Sequence, residues 1–372
     1  MTSARSTSPI RADTVGSLLR PDYLHAARRR FEAGEIDATS LREIEDRAIA
    51  DVVAYQEQIG LPVVTDGEFR RENWWIDFVR RLEGVEIAEG GGTAFATNEA
   101  PRYVPKSVRI SGRVRAAEPI LVDDFRFVQK HASAIAKIAV PSPTRLHFHG
   151  GRKSVSSEAY PGIEVLFADL AAVYRREIAA LEAAGCRYIQ IDDPLLSYFL
   201  DPNLRAEVVA DGDDPDARLK RYIRLINDCI SERSPTTTVG IHICRGNARS
   251  TWLAQGTYEG LADTCFALLN VDRFLLEYDD ERSGTFAPLR FMPKGRQVVL
   301  GLVTTKHAQL EDKDFLKRRL DEAAKLIDPA CLALSPQCGF ASVVEGNLIT
   351  EADQRAKLEL VVQTAREYWG SV

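Results

Sequence analysis

The chain has no surplus of positive charge: 48 Lys and Arg stand against 54 Asp and Glu over 372 residues, a formal net charge of -6. Without spare basic side chains to neutralise phosphates, it lacks the general attraction that carries binding to nucleic acid or to an anionic membrane surface. A small-molecule partner is the expectation that remains. Cysteine is also sparse, six in the whole chain, and a chain this long with 45% hydrophobic residues buries a core without disulfides. The cysteines therefore read as reduced thiols and the compartment as cytoplasmic. Met1 to Ile10 are rich in Ser and Thr and have no apolar centre, so they resemble neither a signal peptide nor a membrane span and are expected to form a flexible N-terminal tail. No long structureless linker divides residues 11–372, which are expected to form one domain.

Helical spacing of apolar residues among charged ones is clearest in Leu41 to Gln58, Val165 to Ala184, Arg218 to Ser231, Tyr258 to Leu269, Asp314 to Ile327 and Glu351 to Tyr368. Between these lie short β-rich runs: Pro62 to Thr65, Arg187 to Ile191, Thr238 to Ile243, Arg273 to Glu277, Gln297 to Leu302 and Cys331 to Leu334. Strands alternating with helices predict parallel βα units, and the length suits a single (β/α)8 TIM barrel of the α/β class. Residues 83–125 break the rhythm. The cluster Gly90-Gly91-Gly92 and the alternation from Ser107 to Val114 predict a β-hairpin insertion at one mouth of the barrel, placed either as a lid or as a decoration.

Three apolar runs end in metal-ligating side chains: His242 and Cys244 in Gly240-Ile241-His242-Ile243-Cys244-Arg245-Gly246-Asn247, Glu277 in Phe274-Leu275-Leu276-Glu277, and Cys338 in Leu334-Ser335-Pro336-Gln337-Cys338-Gly339-Phe340. Alternation puts His242 and Cys244 on one side of a strand, about 6 to 7 Å apart, within reach of one ion. A lone His-x-Cys is more often a packed histidine near a buried thiol. The carboxylate of Glu277 strengthens the metal reading, because in a dry setting it needs a cation or a hydrogen-bond donor. Two thiolates, an imidazole and a carboxylate suit Zn2+, and a displaceable position would let zinc act as a Lewis acid toward an incoming thiol. The other cysteines, Cys186, Cys229, Cys265 and Cys331, read as core fillers.

Further acids close buried runs. Asp192 and Asp193 precede Pro194, and Glu68 follows Asp66-Gly67. Each suits an ammonium group or, equally well, a cap or structural hydrogen bond. Ser17 follows Gly16 and offers hydroxyl and amide donors to a carboxylate. His147 and His149 alternate without an adjoining thiolate or carboxylate, so one is read as lining a pocket and the other as structural. Trp74 and Trp75 lie near Arg70 and Arg71, where they either hold a flat ring or a carboxylate or simply pack.

Taken together, Asp13-Thr14-Val15-Gly16-Ser17, Asp66-Gly67-Glu68, Gln190-Ile191-Asp192-Asp193, His242-Ile243-Cys244-Arg245-Gly246-Asn247, Glu277 and Ser335-Pro336-Gln337-Cys338-Gly339-Phe340 resemble the catalytic barrel of cobalamin-independent methionine synthase, most closely its short single-barrel relatives. The resemblance implies zinc on His242, Cys244, Glu277 and Cys338, and methyl transfer to the thiol of homocysteine, with Ser17, Glu68 and Asp192 holding the amino-acid end. Of the tryptophan pair, Trp75 is the candidate for contact with the substrate. Asp192 and His307 are the candidates for catalytic acid-base work, His307 because protonating a departing amine needs an acid near the rim. There is no room for a second, amino-terminal barrel, and Asp192-Asp193-Pro194 stands where the long enzymes carry Asp-Glu-Pro. The donor is therefore left open between methyltetrahydrofolate, a methylated corrinoid and another small methyl compound, as is a homo-oligomer. The competing expectation is an epoxyalkane:coenzyme M transferase-like zinc alkyltransferase, whose thiol carries a sulfonate and no amino group.

Overall fold

The computed structural model describes residues 10–91 and 106–372, so most of the expected tail lies outside the described residues. Seven parallel strands form one sheet: β1 (Val63–Val64), β4 (Ile135–Pro141), β5 (Tyr188–Asp192), β6 (Thr238–Ile243), β7 (Arg273–Glu277), β8 (Gln297–Val303) and β9 (Leu332–Pro336), paired in that order. β2 (Leu82–Gly91) and β3 (Lys106–Ala116) make a separate antiparallel pair, inside the stretch where a hairpin was expected; its later part starts the helix Val122–His131 instead.

β5, β7 and β9 are buried at every position, as parallel strands covered on both faces must be. The longest covering helices are Ala38–Gln58, Ile163–Ala183, Pro215–Cys229 and Glu351–Trp369, at or within a few residues of the periodic segments. Their starts are chemically marked: Asp37 accepts from the Ser40 amide at 2.8 Å, Asp214 from Ala217 at 2.7 Å, and Thr350 with Asp353 forms a reciprocal capping box. Among the described residues no helix is long and apolar enough to cross a membrane.

The sheet curls until its edges approach. The Asp13 amide donates to Leu334 O at 2.9 Å on β9, and a few residues on, the Thr65 hydroxyl beyond β1 donates to Gly16 O at 2.6 Å. The segment 11–18 thus bridges the last strand and the first. Inside, Leu275, Val299 and Ala333 pack as a small layer from β7, β8 and β9. Because all seven strands run the same way, Glu68, Asp192, His242, Cys244, Glu277 and Cys338 are delivered to one end of the sheet, at or just beyond the strand termini.

β4 was not expected. Its run Ile135-Ala136-Lys137-Ile138-Ala139-Val140-Pro141 is interrupted by Lys137, which is fully buried and donates to Asp13 Oδ1 at 2.9 Å, 124 residues away. A cation whose partner is so distant in sequence disguises an interior strand as a polar one.

Candidate metal centre

His242, Cys244 and Cys338 present one nitrogen and two sulfur atoms that all lie within 4.8 Å of one another, with all three residues buried. His242 and Asp192 are register partners on adjacent strands. The Cys244 carbonyl is fixed by the Ser197 hydroxyl at 2.5 Å. Cys338 comes from the loop after β9, which fits against β8 because residue 301 is glycine: a Cβ there would lie 2.6 Å from Gln337 Cα and 2.9 Å from Leu276 O.

Neither ring nitrogen of His242 has a well-formed hydrogen bond, though both are buried. The Cys338 sulfur is nonetheless close enough to favour its charged form. Burial opposes the imidazolium, but the neighbouring Cys338 sulfur, Asp192 and Glu277 outweigh it and push His242 up. Cys338 is drawn well below the usual thiol range by the Cys244 hydrogen bond and by His242, against the effect of burial. Cys244 is driven well above it by the same sulfur contact and by burial. A buried imidazole with unsatisfied nitrogens beside one thiolate-prone sulfur and a second sulfur is the donor set that a borderline-soft cation such as zinc accepts.

Glu277 lies outside this group of three and is held by cations. Its Oε1 is 3.4 Å from Lys306 Nζ and 3.3 Å from Arg282 Nη2, while Oε2 accepts from the Arg245 amide at 2.8 Å. Although burial would raise its pKa, Lys306, Arg245 and Arg282 bring it down to about 2. The Tyr258 hydroxyl donates to Ile243 O at 2.5 Å and accepts from the Glu277 amide at 3.0 Å, locking the ends of β6 and β7 together. Sequence reasoning had no signal for Lys306, on the loop after β8, or for Arg282, in the single 3-10 turn Glu281–Ser283, since neither segment carries a periodic pattern.

A pocket opens above the three ligands, and Ser17, Glu68, Asp192 and Trp74 line it with them. Glu68 has φ +60, a backbone conformation uncommon for a residue with a side chain. It is fastened by the Asp66 carboxylate on its amide at 2.9 Å and by Arg20 on its carbonyl at 2.8 Å. Its Oε1 is 3.4 Å from Arg71 Nη1, whereas Oε2 is buried with no partner. Burial, countered by Arg71 but reinforced by Asp192 and Asp66, pushes this carboxyl up to about 8. Ser17 is seated by Phe340, whose amide donates to Ser17 O at 2.9 Å. The two adjacent acids divide: Asp192 lines the pocket, while Asp193 turns away to accept from Thr144 Oγ1 at 2.8 Å and from the Leu196 amide at 3.0 Å, as a cap.

Other named residues fall elsewhere. Trp75 is stacked under Arg145, 3.8 Å from ring centroid to guanidinium, and lines an adjoining pocket; it is Trp74 that reaches both. His149 lines that adjoining pocket and His147 is buried against the Tyr222 hydroxyl at 2.8 Å. His307 is exposed on the loop after β8 and lines neither pocket. Arg70 is engaged by Asp46 and Asp124, and Cys331 is only half-buried, unlike the other five cysteines. Tyr198, Asn247 and Ser342 also line the site; the Asn247 Oδ1 is buried without a partner.

Comparison with known proteins gives this geometry a family. Residues 10–367 match the model of the cobalamin-independent synthase catalytic domain. The chain is 43% identical over 371 residues to the uncharacterized protein YxjH of Bacillus subtilis (strain 168), covering 99% of this chain and 97% of that one. It is 24% identical over 329 residues to the methionine synthase of Pyrococcus abyssi, covering 88% and 85%. A crystal structure from Listeria monocytogenes, assigned to the vitamin-B12 independent methionine synthases, superposes with a TM-score of 0.78 at 35% identity, covering 99% of this chain and 100% of that one. The chain belongs to the cobalamin-independent methionine synthase family, whose catalytic domain it carries almost from end to end.

Proposed function

We propose that this protein is a zinc-dependent methyltransferase that passes a methyl group, from methyltetrahydrofolate or a related donor, to the thiol of homocysteine to give methionine. One observation carries the reading: a buried nitrogen and two sulfurs within 4.8 Å of one another sit below a pocket whose wall holds two acids and a serine. His242, Cys244 and Cys338 would hold the zinc, and Glu277 would complete the set on leaving its cation partners. When bound, zinc lowers the pKa of a thiol so that it is a nucleophile near neutral pH.

The chain's own residues supply the rest. Asp192 and the unpartnered Oε2 of Glu68 accept hydrogen bonds from the substrate's ammonium group, and that cation favours the ionised form of Glu68 that burial now opposes. Ser17 donates to the substrate carboxylate. Trp74 and Tyr198 wall the pocket and exclude water from the reacting sulfur. Two acids in the wall favour an amino-acid thiol and disfavour the sulfonate of coenzyme M, which speaks against the epoxide-opening alternative. The segment 11–18 is read as the eighth stave of the barrel, with the β2–β3 hairpin as an insertion at its mouth.

The test is to incubate metal-replete protein with homocysteine or coenzyme M, offering methyltetrahydrofolate, methylcobalamin or an epoxyalkane, and to identify the thiol products by mass spectrometry. Methionine that disappears in Cys244→Ser is the expected result. Epoxide consumption dependent on coenzyme M, without methionine, would replace this reading with the alternative.

A further inference from the structure

The pocket acid Asp192 stands at the top of a buried chain of polar side chains that climbs the inside of the sheet. Arg273 Nη2 lies 3.3 Å from Asp13 Oδ2, which also accepts from the Tyr188 hydroxyl at 2.8 Å. Asp13 Oδ1 accepts from Lys137 Nζ at 2.9 Å, Lys137 donates to Gln190 Oε1 at 2.9 Å, and Gln190 Nε2 donates to Asp192 Oδ1 at 2.7 Å and to Val15 O at 2.7 Å. Lys137 and Gln190 are fully buried. Tyr188, Gln190 and Asp192 alternate along β5, so all three point to the same face.

This wiring fixes the orientation of the Gln190 amide. An ammonium only donates, so the oxygen of Gln190 must face Lys137; a carboxylate and a carbonyl only accept, so its nitrogen must face Asp192 and Val15. Turning the amide over would set NH2 against a buried ammonium and oxygen against two acceptors. One Asp192 oxygen is therefore permanently supplied with a donor. The same amide also donates to Val15 O, but Ser17, two residues on, is anchored independently by the Thr65 hydroxyl on Gly16 O at 2.6 Å and by the Phe340 amide on Ser17 O at 2.9 Å.

We propose that Gln190, oriented by Lys137, is the specificity-determining positioning residue that holds Asp192 in place to recognise the α-ammonium group of the thiol substrate. The proposal rests on the homocysteine reading. Gln190 itself touches no reacting atom. Its contribution falls on discrimination between thiols that carry an α-ammonium group and thiols that do not, and leaves the sulfur end alone.

The experiment measures binding of homocysteine and of its desamino analogue 4-sulfanylbutanoate to protein purified without chelator, by titration calorimetry, in the wild type, Gln190→Met and Gln190→Asn. Gln190→Met keeps the volume and removes the polar bridge; Gln190→Asn keeps an amide too short to span Lys137 and Asp192, and decides the matter if the first variant does not fold. The expected result is a wild-type preference for homocysteine that drops roughly tenfold to hundredfold in the variants, the size of one or two hydrogen bonds to charged groups, with 4-sulfanylbutanoate binding within about twofold of wild type. Equal loss for both thiols would make Gln190 merely structural and overturn the inference. A wild-type preference that survives in both variants would overturn it alone, whereas no wild-type preference would bring down the homocysteine reading and this inference with it.

Discussion

Lys306 is the residue whose removal most sharply separates a structural from a metal-linked role for Glu277. Its ammonium lies 3.0 Å from Asp279 Oδ2 and 3.4 Å from Glu277 Oε1, with side-chain exposures of 2% for Lys306, 1% for Asp279 and 0% for Glu277. Lys306→Met keeps the length and apolar volume but leaves two buried carboxylates, of which Glu277 keeps Arg282 while Asp279 loses its ammonium partner. Breaking a buried ion pair from one side costs about 3–5 kcal/mol, because the remaining charge is uncompensated; Arg282, 3.3 Å from Glu277, places the expected loss near the lower end, about 3 kcal/mol. Urea unfolding in the presence of EDTA measures it. Zinc then adds more stability to the variant than to the wild type, because a cation beside His242, Cys244 and Cys338 replaces part of the missing positive charge. Lys306→Met combined with Asp279→Asn removes one of the stranded negative charges and recovers much of the loss. A metal-free loss below about 1 kcal/mol, or the same zinc increment in both proteins, would refute the reasoning.

Acid stability carries the imprint of His147, which burial, with Arg218 nearby, depresses from 6.5 to about 3. The unfolded chain takes up a proton there that the folded chain refuses, so stability is undiminished above about pH 6.5 and falls as the pH drops toward 3, by at most ~1.4 kcal/mol per pH unit for this residue. In His147→Gln, which can still meet the Tyr222 hydroxyl, equilibrium unfolding between pH 4 and 6 is expected to lose about one proton's worth of that slope; an unchanged slope would show that His147 titrates normally. Gly339→Ala drives a methyl group into the Ser17 hydroxyl, so homocysteine binding is expected to weaken at least about tenfold by calorimetry, the value of a lost hydrogen bond to a charged group. Unaltered binding would remove Ser17 from the pocket's recognition surface.

The parts of this molecule that announce themselves in the sequence are those whose partners are implied by periodicity. His242 and Cys244 alternate on β6, and Cys338 follows a buried strand, so their meeting at one end of a parallel sheet follows from the direction of the strands. Glu277 was legible as a buried acid that needs a cation, but not the identity of that cation, because Lys306 comes from the loop after β8 and Arg282 from a short 3-10 turn, segments too short to carry a pattern. The choice between neighbours was equally hidden. Asp192 faces the pocket and Asp193 caps a helix; Trp74 faces the pocket and Trp75 packs under Arg145. Each pair lies just before a short helix, Leu195–Tyr198 or Ile76–Val79, and the local backbone path into that helix, which composition does not encode, decides which side chain points inward. The same limit hid β4, whose Lys137 is explained only once Asp13 and Gln190 are seen beside it.

Whether His242, Cys244 and Cys338 hold a metal on which a substrate thiol is activated is decided by zinc X-ray absorption on protein purified without chelator. The expected spectrum shows two sulfur neighbours at about 2.3 Å from zinc in the resting protein, the distance of Zn–S bonds, rising to three when homocysteine is added and falling to one in resting Cys338→Ser. A sulfur count that ignores both homocysteine and the loss of Cys338, or protein that retains no zinc, would contradict the metal reading.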